Sequence, residues 1–286
     1  MKVLPFKIPK SSTDTLIIEQ DYGEVFYDKL HQHEEVQLSY ILDGKGTFIV
    51  GDTIKEYKPN DVLVFGSHVP HVLKSDIDAC DSSSMISIFF TLDSFGQDFF
   101  ELQELKKTKQ FIEKASLGIK LKNNQELLKD KFITLAKESN LKRFISFLEI
   151  IETLIVSEYE TVSSFSKKKL YTDNEGRRMS AVFELALNQF QRDISLDEVA
   201  KVAAMSPNAF CRYFKQRTNK TFVQFLNEIR IENSCTLLAR NNELSIAEIA
   251  YQCGFNNISN YNRKFKLIKK VTPNEFRKKM VTGSTY

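Results

Sequence analysis

Asparagine and arginine side chains occur in two similar segments of the last third of the chain. Arg212 lies in F-C-R-Y-F-K, and Arg263 lies in Y-N-R-K-F-K, 51 residues further along. An arginine can bond O6 and N7 of guanine and an asparagine N6 and N7 of adenine, and each such pair contributes about 1–3 kcal/mol of discrimination between bases. The two segments therefore hold side chains that can read base edges.

The helical period predicts which residues of these segments face outward. Phe210, Phe214, Tyr261 and Phe265 recur at core spacing, which leaves the opposite face of each segment to solvent. The residues predicted to read bases are Asn208, Cys211, Arg212, Ser259, Asn260, Asn262 and Arg263. The residues predicted to contact phosphates, because lysines and helix N-termini suit anions, are Ser206, Lys215, Lys220, Lys264 and Lys266.

A duplicated unit must position these side chains. The chain reads S-L-D-E-V-A from Ser195 and S-I-A-E-I-A from Ser245, an offset of 50 residues. The S-x-x-E spacing predicts a capping box at the start of a short helix in both copies. Repetition at this period indicates two copies of helix, tight turn and helix, at about 195–217 and 245–268.

One continuous helix, Phe222–Arg240, is predicted between the two copies. Its length would be about 30 Å at about 1.5 Å per residue. A rigid connection of that length could hold two recognition helices about one DNA turn, or ~34 Å, apart in successive major grooves.

The N-terminal part contains all four histidines, His31, His33, His68 and His71, among predicted strands at 36–42, 47–50, 61–65 and 85–90. The turn D-G-K-G at 43–46 predicts a hairpin between the first two strands. Closely spaced short strands favour a small antiparallel barrel or sandwich. We expect His31, His33, Gln37 and His71 to line an effector pocket or to make local hydrogen bonds, and His68 to be exposed.

Helical periodicity begins at about residue 95, with segments at 98–105 and 144–156. The apolar stripe of the second segment is explained by core packing or, alternatively, by a dimer surface. We expect a regulatory domain at 1–160, a linker at 161–178 and a second domain at 179–286. The linker pattern mixes Ser, Lys, Asp, Asn and Gly without a clear period.

Composition bounds the class of protein. The apolar share is 42% and the charged share 27%, as in soluble globular proteins. The chain has no apolar run of about 18 residues and no signal-peptide pattern, so we expect a cytoplasmic protein without a membrane partner. Its four cysteines show neither paired nor metal-ligand spacing.

Charge is distributed unevenly along the chain. Residues 177–286 hold 18 Lys and Arg against 9 Asp and Glu, a net charge of +9, while the remainder carries −6. A basic module suggests a polyanionic partner, although a lysine-rich solvated surface explains the same asymmetry equally well.

The C-terminal module resembles the AraC/XylS family of bacterial transcription regulators. The matching segments are S-P-N-A-F-C-R-Y-F-K (206–215), A-E-I-A-Y-Q-C-G-F (247–255), R-K-F-K (263–266) and V-T-P-N-E-F-R (271–277). The resemblance implies an all-helical domain of two helix-turn-helix subdomains joined by a linker helix. It also implies sequence-specific binding to double-stranded DNA, contact with RNA polymerase, a homodimer and a small-molecule effector.

The N-terminal part resembles the cupin barrel, through H-Q-H-E-E-V-Q (31–37) and the segment 59–71 that ends at His71. In metal cupins two histidines, a glutamate and a third histidine bind one ion. This chain has Gln37 where that glutamate is expected, so we predict no metal, no cofactor and no enzymatic activity. The alternatives are a cupin metalloenzyme with a DNA-binding tail and a nucleic-acid binder without base preference. The predicted fold class is therefore multidomain α+β, with an antiparallel barrel, following helices and an all-α C-terminal domain.

Overall fold

Two compact units divide the chain, at residues 1–177 and 178–286. The computed structural model describes residues 15–51, 53–77, 80–163, 173–240 and 243–281. Among these residues, no helix is both long enough and apolar enough to cross a membrane. The finer domain boundaries predicted from the sequence stay a prediction.

The first unit is built from two antiparallel sheets. Their strands are β1 (Ile17–Gly23), β2 (Val36–Asp43), β3 (Gly46–Val50), β4 (Thr53–Tyr57), β5 (Val62–Phe65), β6 (His71–Ser75), β7 (Ser83–Phe90), β8 (Ile119–Leu121) and β9 (Tyr159–Thr161). One sheet has six strands in the order β1-β7-β2-β5-β8-β9, and the other has three in the order β4-β3-β6.

Alternation along β2 divides its side chains between two environments. Val36, Leu38 and Tyr40 join the core that the six-stranded sheet shares with the helices, whereas Ile41 joins the core between the two sheets. Successive strand side chains point to opposite faces, so Gln37 and Ser39 point the same way as Ile41. This parity places two buried polar side chains inside the barrel.

The predicted hairpin between β2 and β3 is wrong. β2 pairs with β5 and β7, whereas β3 pairs with β4 and β6, so residues 43–46 carry the chain from one sheet to the other. Gly44 has a φ of 95°, and a Cβ at Gly46 would lie 2.0 Å from the Lys74 carbonyl oxygen. These glycines therefore serve a close crossing between sheets, which produces the same sequence pattern as a tight turn.

Three helices cover the outer face of the six-stranded sheet: α1 (Lys106–Lys114), α2 (Gln125–Leu135) and α3 (Asn140–Val156). The helix expected at 98–105 is instead two short 3₁₀ turns, Phe99–Glu101 and Gln103–Leu105, just before α1. Phe147, Ile151 and Leu154 of α3 are buried in the core. Core packing thus accounts for most of the apolar stripe on α3.

The second unit is all helical. Its helices are α4 (Asp173–Gln189), α5 (Leu196–Val202), α6 (Pro207–Thr218), α7 (Phe222–Arg240), α8 (Ile246–Gln252), α9 (Ile258–Lys269) and α10 (Pro273–Val281). The antiparallel first unit with its helices and this helical second unit confirm the predicted fold class. Of the predicted linker, Thr161 ends β9 and residues 173–178 belong to α4, and 164–172 lie outside the described residues.

The two predicted capping boxes differ. In the second copy the Ser245 hydroxyl accepts from the Glu248 N–H, and the Glu248 carboxylate accepts from the Ser245 N–H at 2.7 Å. In the first copy the Ser195 hydroxyl accepts from the Glu198 N–H, but the Glu198 carboxylate pairs with Arg192. The first box is therefore only half formed, because a nearby arginine competes for its carboxylate.

Candidate nucleic-acid interface and barrel pocket

The first helix-turn-helix unit consists of α5, a turn and α6. Val199 and Ala200 of α5 are buried, as are Phe210 and Phe214 of α6. This packing fixes which face of α6 meets solvent. The predicted contact residues of α6, at positions i, i+3, i+4 and i+7, are all exposed: Asn208, Cys211, Arg212 and Lys215.

The second helix-turn-helix unit, α8 and α9, repeats this arrangement. Tyr261 and Phe265 of α9 are fully buried and fix its inner face. The exposed predicted residues of α9 are Ser259, Asn260, Asn262, Arg263 and Lys266, while Lys264 is half-buried. The Arg263 guanidinium donates to the Asn260 side-chain oxygen at 3.0 Å. That bond holds two predicted base-reading groups side by side.

Helices α6 and α9 both begin with a side-chain cap. The Ser206 hydroxyl accepts from the Ala209 N–H at 3.4 Å, and the Asn257 side-chain oxygen accepts from the Asn260 N–H at 3.0 Å. The sequence predicts Ser206 as a phosphate contact and gives no role to Asn257. Asparagine is a preferred N-cap residue, and its position directly before α9 is the signal that identifies Asn257 as a cap.

Lys220, which the sequence predicts as a phosphate contact, is not exposed but paired with an acidic side chain. Its ammonium donates to the Glu228 carboxylate at 2.8 Å, and both side chains are only 22% exposed. Among the predicted phosphate contacts, Lys215 and Lys266 are the lysines that lie exposed on the outward faces of α6 and α9.

Helix α7 and the second helix-turn-helix unit both contact the backbone that follows the end of α4. The Arg230 guanidinium donates to the Phe190 and Arg192 carbonyl oxygens, both at 2.8 Å, and lies 5.7 Å from the centre of the Phe255 ring. Gly254, in the turn between α8 and α9, has a φ of 83°, and a Cβ there would lie 2.5 Å from the Phe190 oxygen. The turn of the second helix-turn-helix unit thus packs directly on backbone that precedes α5.

Four predicted pocket residues converge inside the barrel. His31 and His71 pair through their backbones, and the ring centres of His31 and His71 lie 4.4 Å apart. The Nδ1 atoms of His31, His33 and His71 donate to the carbonyl oxygens of Lys29, Glu35 and Val69, each at 2.8 Å. These three bonds orient the rings. His68, as expected, is exposed.

Gln37 occupies the centre of this group. Its side-chain oxygen lies 3.0 Å from Nε2 of both His33 and His71. Its amide nitrogen donates to the Ser39 hydroxyl at 2.8 Å, and Ser39 and Ser87 are 2.7 Å apart. The Glu35 carboxylate lies on the other side of the His33 ring, 3.8 Å from Nδ1. Glu35 therefore does not substitute for the glutamate that Gln37 replaces.

Burial disfavours the charged forms of the ionisable groups around this pocket. Desolvation lowers the pKa of His31 to about 4 and holds the pKa of His71 well below its usual value. Desolvation also raises the pKa of Glu19 and Asp21 on β1. These side chains adjoin a cavity of about 40 Å³. Its lining residues are Glu19, Asp21, Phe26, Tyr27, His31, Gln37, His71, Leu73, Met85 and Phe89.

The donor set of the pocket fits a divalent transition metal. One ligand atom from each of His31, His33 and His71 lies within 4.8 Å of the others. Imidazole nitrogens suit zinc, copper, iron and nickel. The sequence predicted no metal because Gln37 replaces an anionic ligand, but the position of its neutral amide oxygen makes it a fourth potential ligand.

Comparisons with known proteins agree with both units. A helix-turn-helix domain model matches residues 199–279, and a cupin domain model matches residues 17–81. The chain is 27% identical over 264 residues to the uncharacterised HTH-type transcriptional regulator YdeC of Bacillus subtilis (strain 168), covering 88% of this chain and 87% of YdeC.

Two further relatives carry the same kind of description. The HTH-type transcriptional activator RhaS of Mannheimia succiniciproducens is 24% identical over 250 residues, covering 86% of this chain and 88% of RhaS. An uncharacterised HTH-type transcriptional regulator of Pseudoalteromonas carrageenovora is 34% identical over 91 residues, which are 32% of this chain and 53% of the relative.

Proposed function

Because the chain belongs to the AraC/XylS family of DNA-binding transcription regulators and carries a cupin domain, we propose that α6 and α9 read two successive major grooves of one operator. The observation that carries the proposal is the matched outward face of the two helices. Each presents polar and basic side chains at i, i+3, i+4 and i+7, opposite fully buried aromatic residues. Such a face suits a helix lying in a groove.

Base readout is assigned to the middle of each face. Arg212 and Arg263 are exposed and bear guanidinium groups that match the edge of guanine. Asn208, Cys211, Ser259, Asn260 and Asn262 complete the two faces. The bond between Arg263 and Asn260 supports joint recognition of neighbouring bases by the second helix.

Phosphate contacts are assigned to the edges of each face. Lys215 and Lys266 are exposed near the C-terminal ends of their helices. Ser206 lies at an exposed helix N-terminus, where backbone N–H groups suit an anion. Lys264 is half-buried and Lys220 is paired with Glu228, so their contribution requires those side chains to move.

The remaining partners follow from this role. A regulator of this kind acts on double-stranded DNA in the cytoplasm, contacts RNA polymerase, and works as a homodimer without enzymatic activity. The barrel pocket formed by His31, His33, Gln37 and His71 would receive the effector. Its support is that His31, Gln37 and His71 line one cavity, and that the His33 ring lies 3.0 Å from the Gln37 side-chain oxygen.

Selection of bound duplexes from a random pool by the purified full chain tests the proposal. We expect two conserved clusters about 10 base pairs apart. Arg212→Ala should relax base preference in one cluster only and Arg263→Ala in the other, each at a cost of about 1–3 kcal/mol for the preferred site. Lys107→Ala, which removes a positive charge from an exposed site on α1, is the control and should leave both clusters intact.

A different result would contradict the proposal. If Arg212→Ala and Arg263→Ala weakened binding to all sequences uniformly, the two arginines would contact only phosphates. If the wild-type chain selected no consensus at all, the chain would be a binder without base preference.

A further inference from the structure

Helix α7 carries three charged side chains within five residues, Glu228, Arg230 and Glu232. Arg230 donates to the backbone that follows α4, at the Phe190 and Arg192 carbonyl oxygens. Glu228 and Glu232 are four residues apart, so they lie on one face of the helix. Each of these two carboxylates accepts a hydrogen bond from a lysine at the end of a helix that carries proposed base-reading residues.

The Glu228 carboxylate contacts the end of α6. It accepts from the Lys220 ammonium at 2.8 Å, and both side chains are largely shielded from water. The Lys220 N–H donates to the Thr218 hydroxyl at 3.3 Å, and that hydroxyl donates to the Phe214 carbonyl oxygen at 2.8 Å. The ion pair is therefore connected by hydrogen bonds to the backbone of α6.

The Glu232 carboxylate contacts the end of α9. It accepts from the ammonium of Lys269, the last residue of α9, at 2.5 Å. The Glu232 side chain is 9% exposed and the Lys269 side chain 24%, so dissolved salt screens this pair only weakly. One face of α7 thus binds the C-terminal ends of both α6 and α9.

The ion pairs restrict orientation in a way that apolar packing does not. The second helix-turn-helix unit shares an apolar core with α7, which includes Ile231 and Phe265. Apolar burial depends mainly on area and has no preferred direction. A rotation of α9 that kept this core buried would still separate Lys269 from Glu232 and leave a largely buried carboxylate unpaired, which is strongly unfavourable. The ion pair therefore selects one orientation among those that the core alone would accept.

We propose that Glu228 and Glu232 are positioning residues that fix the distance and angle between α6 and α9, and with them the number of base pairs between the two clusters of the operator. Neither carboxylate contacts DNA in this role, because each acts through the lysine that it binds. The inference rests on the proposed function, since it requires both helices to read one operator. It adds the residues that determine how strictly the spacing of that operator is read.

The geometry of the duplex makes spacing a sensitive readout. One inserted base pair moves the second cluster by about 3.4 Å along the duplex and by about 35° around it. Two helices held rigidly by α7 cannot follow that movement without breaking contacts. We therefore expect the wild-type chain to bind the selected operator at least about tenfold more tightly than duplexes with one base pair inserted or deleted between the clusters.

Fluorescence-anisotropy titration of the full chain with this series of duplexes tests the inference. Glu232→Gln keeps the size of the side chain and removes its charge. It should reduce the preference for the selected spacing to about threefold or less and leave the base preference within each cluster unchanged. Glu228→Gln should have the same effect through α6. Glu184→Gln, which removes a charge from an exposed site on α4, is the matched control and should keep the wild-type preference.

Variants of Lys269 provide a second, independent test. Lys269→Met removes the positive charge and should relax the spacing preference, whereas Lys269→Arg retains the charge and should keep it. Glu232→Gln raises the net charge of the chain by one and Lys269→Met lowers it by one. A general electrostatic effect on DNA affinity would therefore have opposite signs in the two variants, and a shared loss of spacing preference cannot arise from it.

Three results would overturn the inference. The first is a wild-type chain that selects two clusters but binds all spacings about equally, which leaves the proposed function intact. The second is an unchanged spacing preference in folded Glu232→Gln, Glu228→Gln and Lys269→Met. The third is binding that weakens by the same factor at every spacing in these variants, which would assign the ion pairs to stability alone. Selection of a single cluster, or of none, would instead overturn the proposed function, and this inference with it.

Discussion

Replacing Gly254 with alanine should detach the second helix-turn-helix unit from the end of α4. Gly254 lies between α8 and α9 with a φ of 83°. An added Cβ would lie 2.5 Å from the Phe190 oxygen, 2.8 Å from the Gln191 oxygen and 2.9 Å from the Arg230 Nε. Two of these three neighbours are backbone atoms, so they cannot swing aside as a flexible side chain would.

Two costs combine in this variant. An alanine in the left-handed region costs roughly 1–2 kcal/mol. Forcing an extra carbon into closely packed structure costs roughly 1–3 kcal/mol more. We therefore expect Gly254→Ala to destabilise the packing of α8 and α9 by about 2–5 kcal/mol, and to disturb the hydrogen bonds from Arg230 to Phe190 and Arg192.

Gly96→Ala is the matched control. Gly96 has a φ of 103°, but nothing lies within 4 Å of its added Cβ. It therefore carries the conformational cost without the clash, and the difference between the two variants isolates the contact with the Phe190 and Gln191 carbonyl groups.

Hydrogen exchange of the full chain, followed by mass spectrometry of peptides, measures the effect. Amides of α8 and α9 should exchange faster in Gly254→Ala than in the wild type by a factor that corresponds to the lost free energy, about tenfold for each 1.4 kcal/mol. In the duplex selection, the cluster read by α9 should weaken more than the cluster read by α6. If Gly254→Ala lowers stability no more than Gly96→Ala does, the contact with the end of α4 does not hold the second helix-turn-helix unit in place.

Two further outcomes are expected. Ala204 has a φ of 53° and lies exposed in the turn between α5 and α6. Ala204→Gly should therefore relieve left-handed strain and stabilise this helix-turn-helix unit by up to about 1 kcal/mol. Hydrogen exchange in α5 and α6 should become slower, and faster exchange would contradict the prediction. Cys211 is exposed, whereas burial raises the pKa of Cys253 to about 12, so iodoacetamide at neutral pH should label Cys211 and spare Cys253 in the folded chain. Equal labelling of the two thiols under native conditions would show that α8 and its turn open readily.

The helical unit was predictable because its signals are local. Phe222–Arg240 is a single helix with the predicted bounds, and the core residues Phe210, Phe214, Tyr261 and Phe265 are all fully buried. Capping residues and a 3.6-residue period depend on neighbours within one or two turns. Such information is contained in a short stretch of sequence.

The barrel was predictable only in part because strand pairing is not local. The strands at 36–42 and 47–50 were found, but their connection joins two sheets instead of forming a hairpin. The short strand β8 pairs with β5, 55 residues earlier by the pairing of Ile119 with Val64. Nothing in a three-residue strand such as Ile119–Leu121 specifies a partner at that distance.

The pocket illustrates the same limit for chemistry. In the sequence, Gln37 argues against a metal because a neutral amide stands where the cupin pattern has an anionic glutamate. That comparison considers charge alone. The structure adds the direction of three imidazoles, which depends on the carbonyl groups of Lys29, Glu35 and Val69. Those partners are backbone atoms, so no side-chain pattern in the sequence records them.

The duplicated unit also diverges for reasons that its repeat does not contain. Ala204 and Gly254 are equivalent positions at the same offset of 50 residues, and both have positive φ values, 53° and 83°. The first copy tolerates a methyl group because Ala204 is exposed, whereas the second packs on the Phe190 carbonyl oxygen and cannot. Glycine is therefore needed in only one copy, and the need arises from the third element, α7 with Arg230, that holds the second copy against the end of α4. Substitutions in the turn between α8 and α9 should therefore alter DNA recognition by shifting α9. Substitutions in the turn between α5 and α6 should act mainly through local stability.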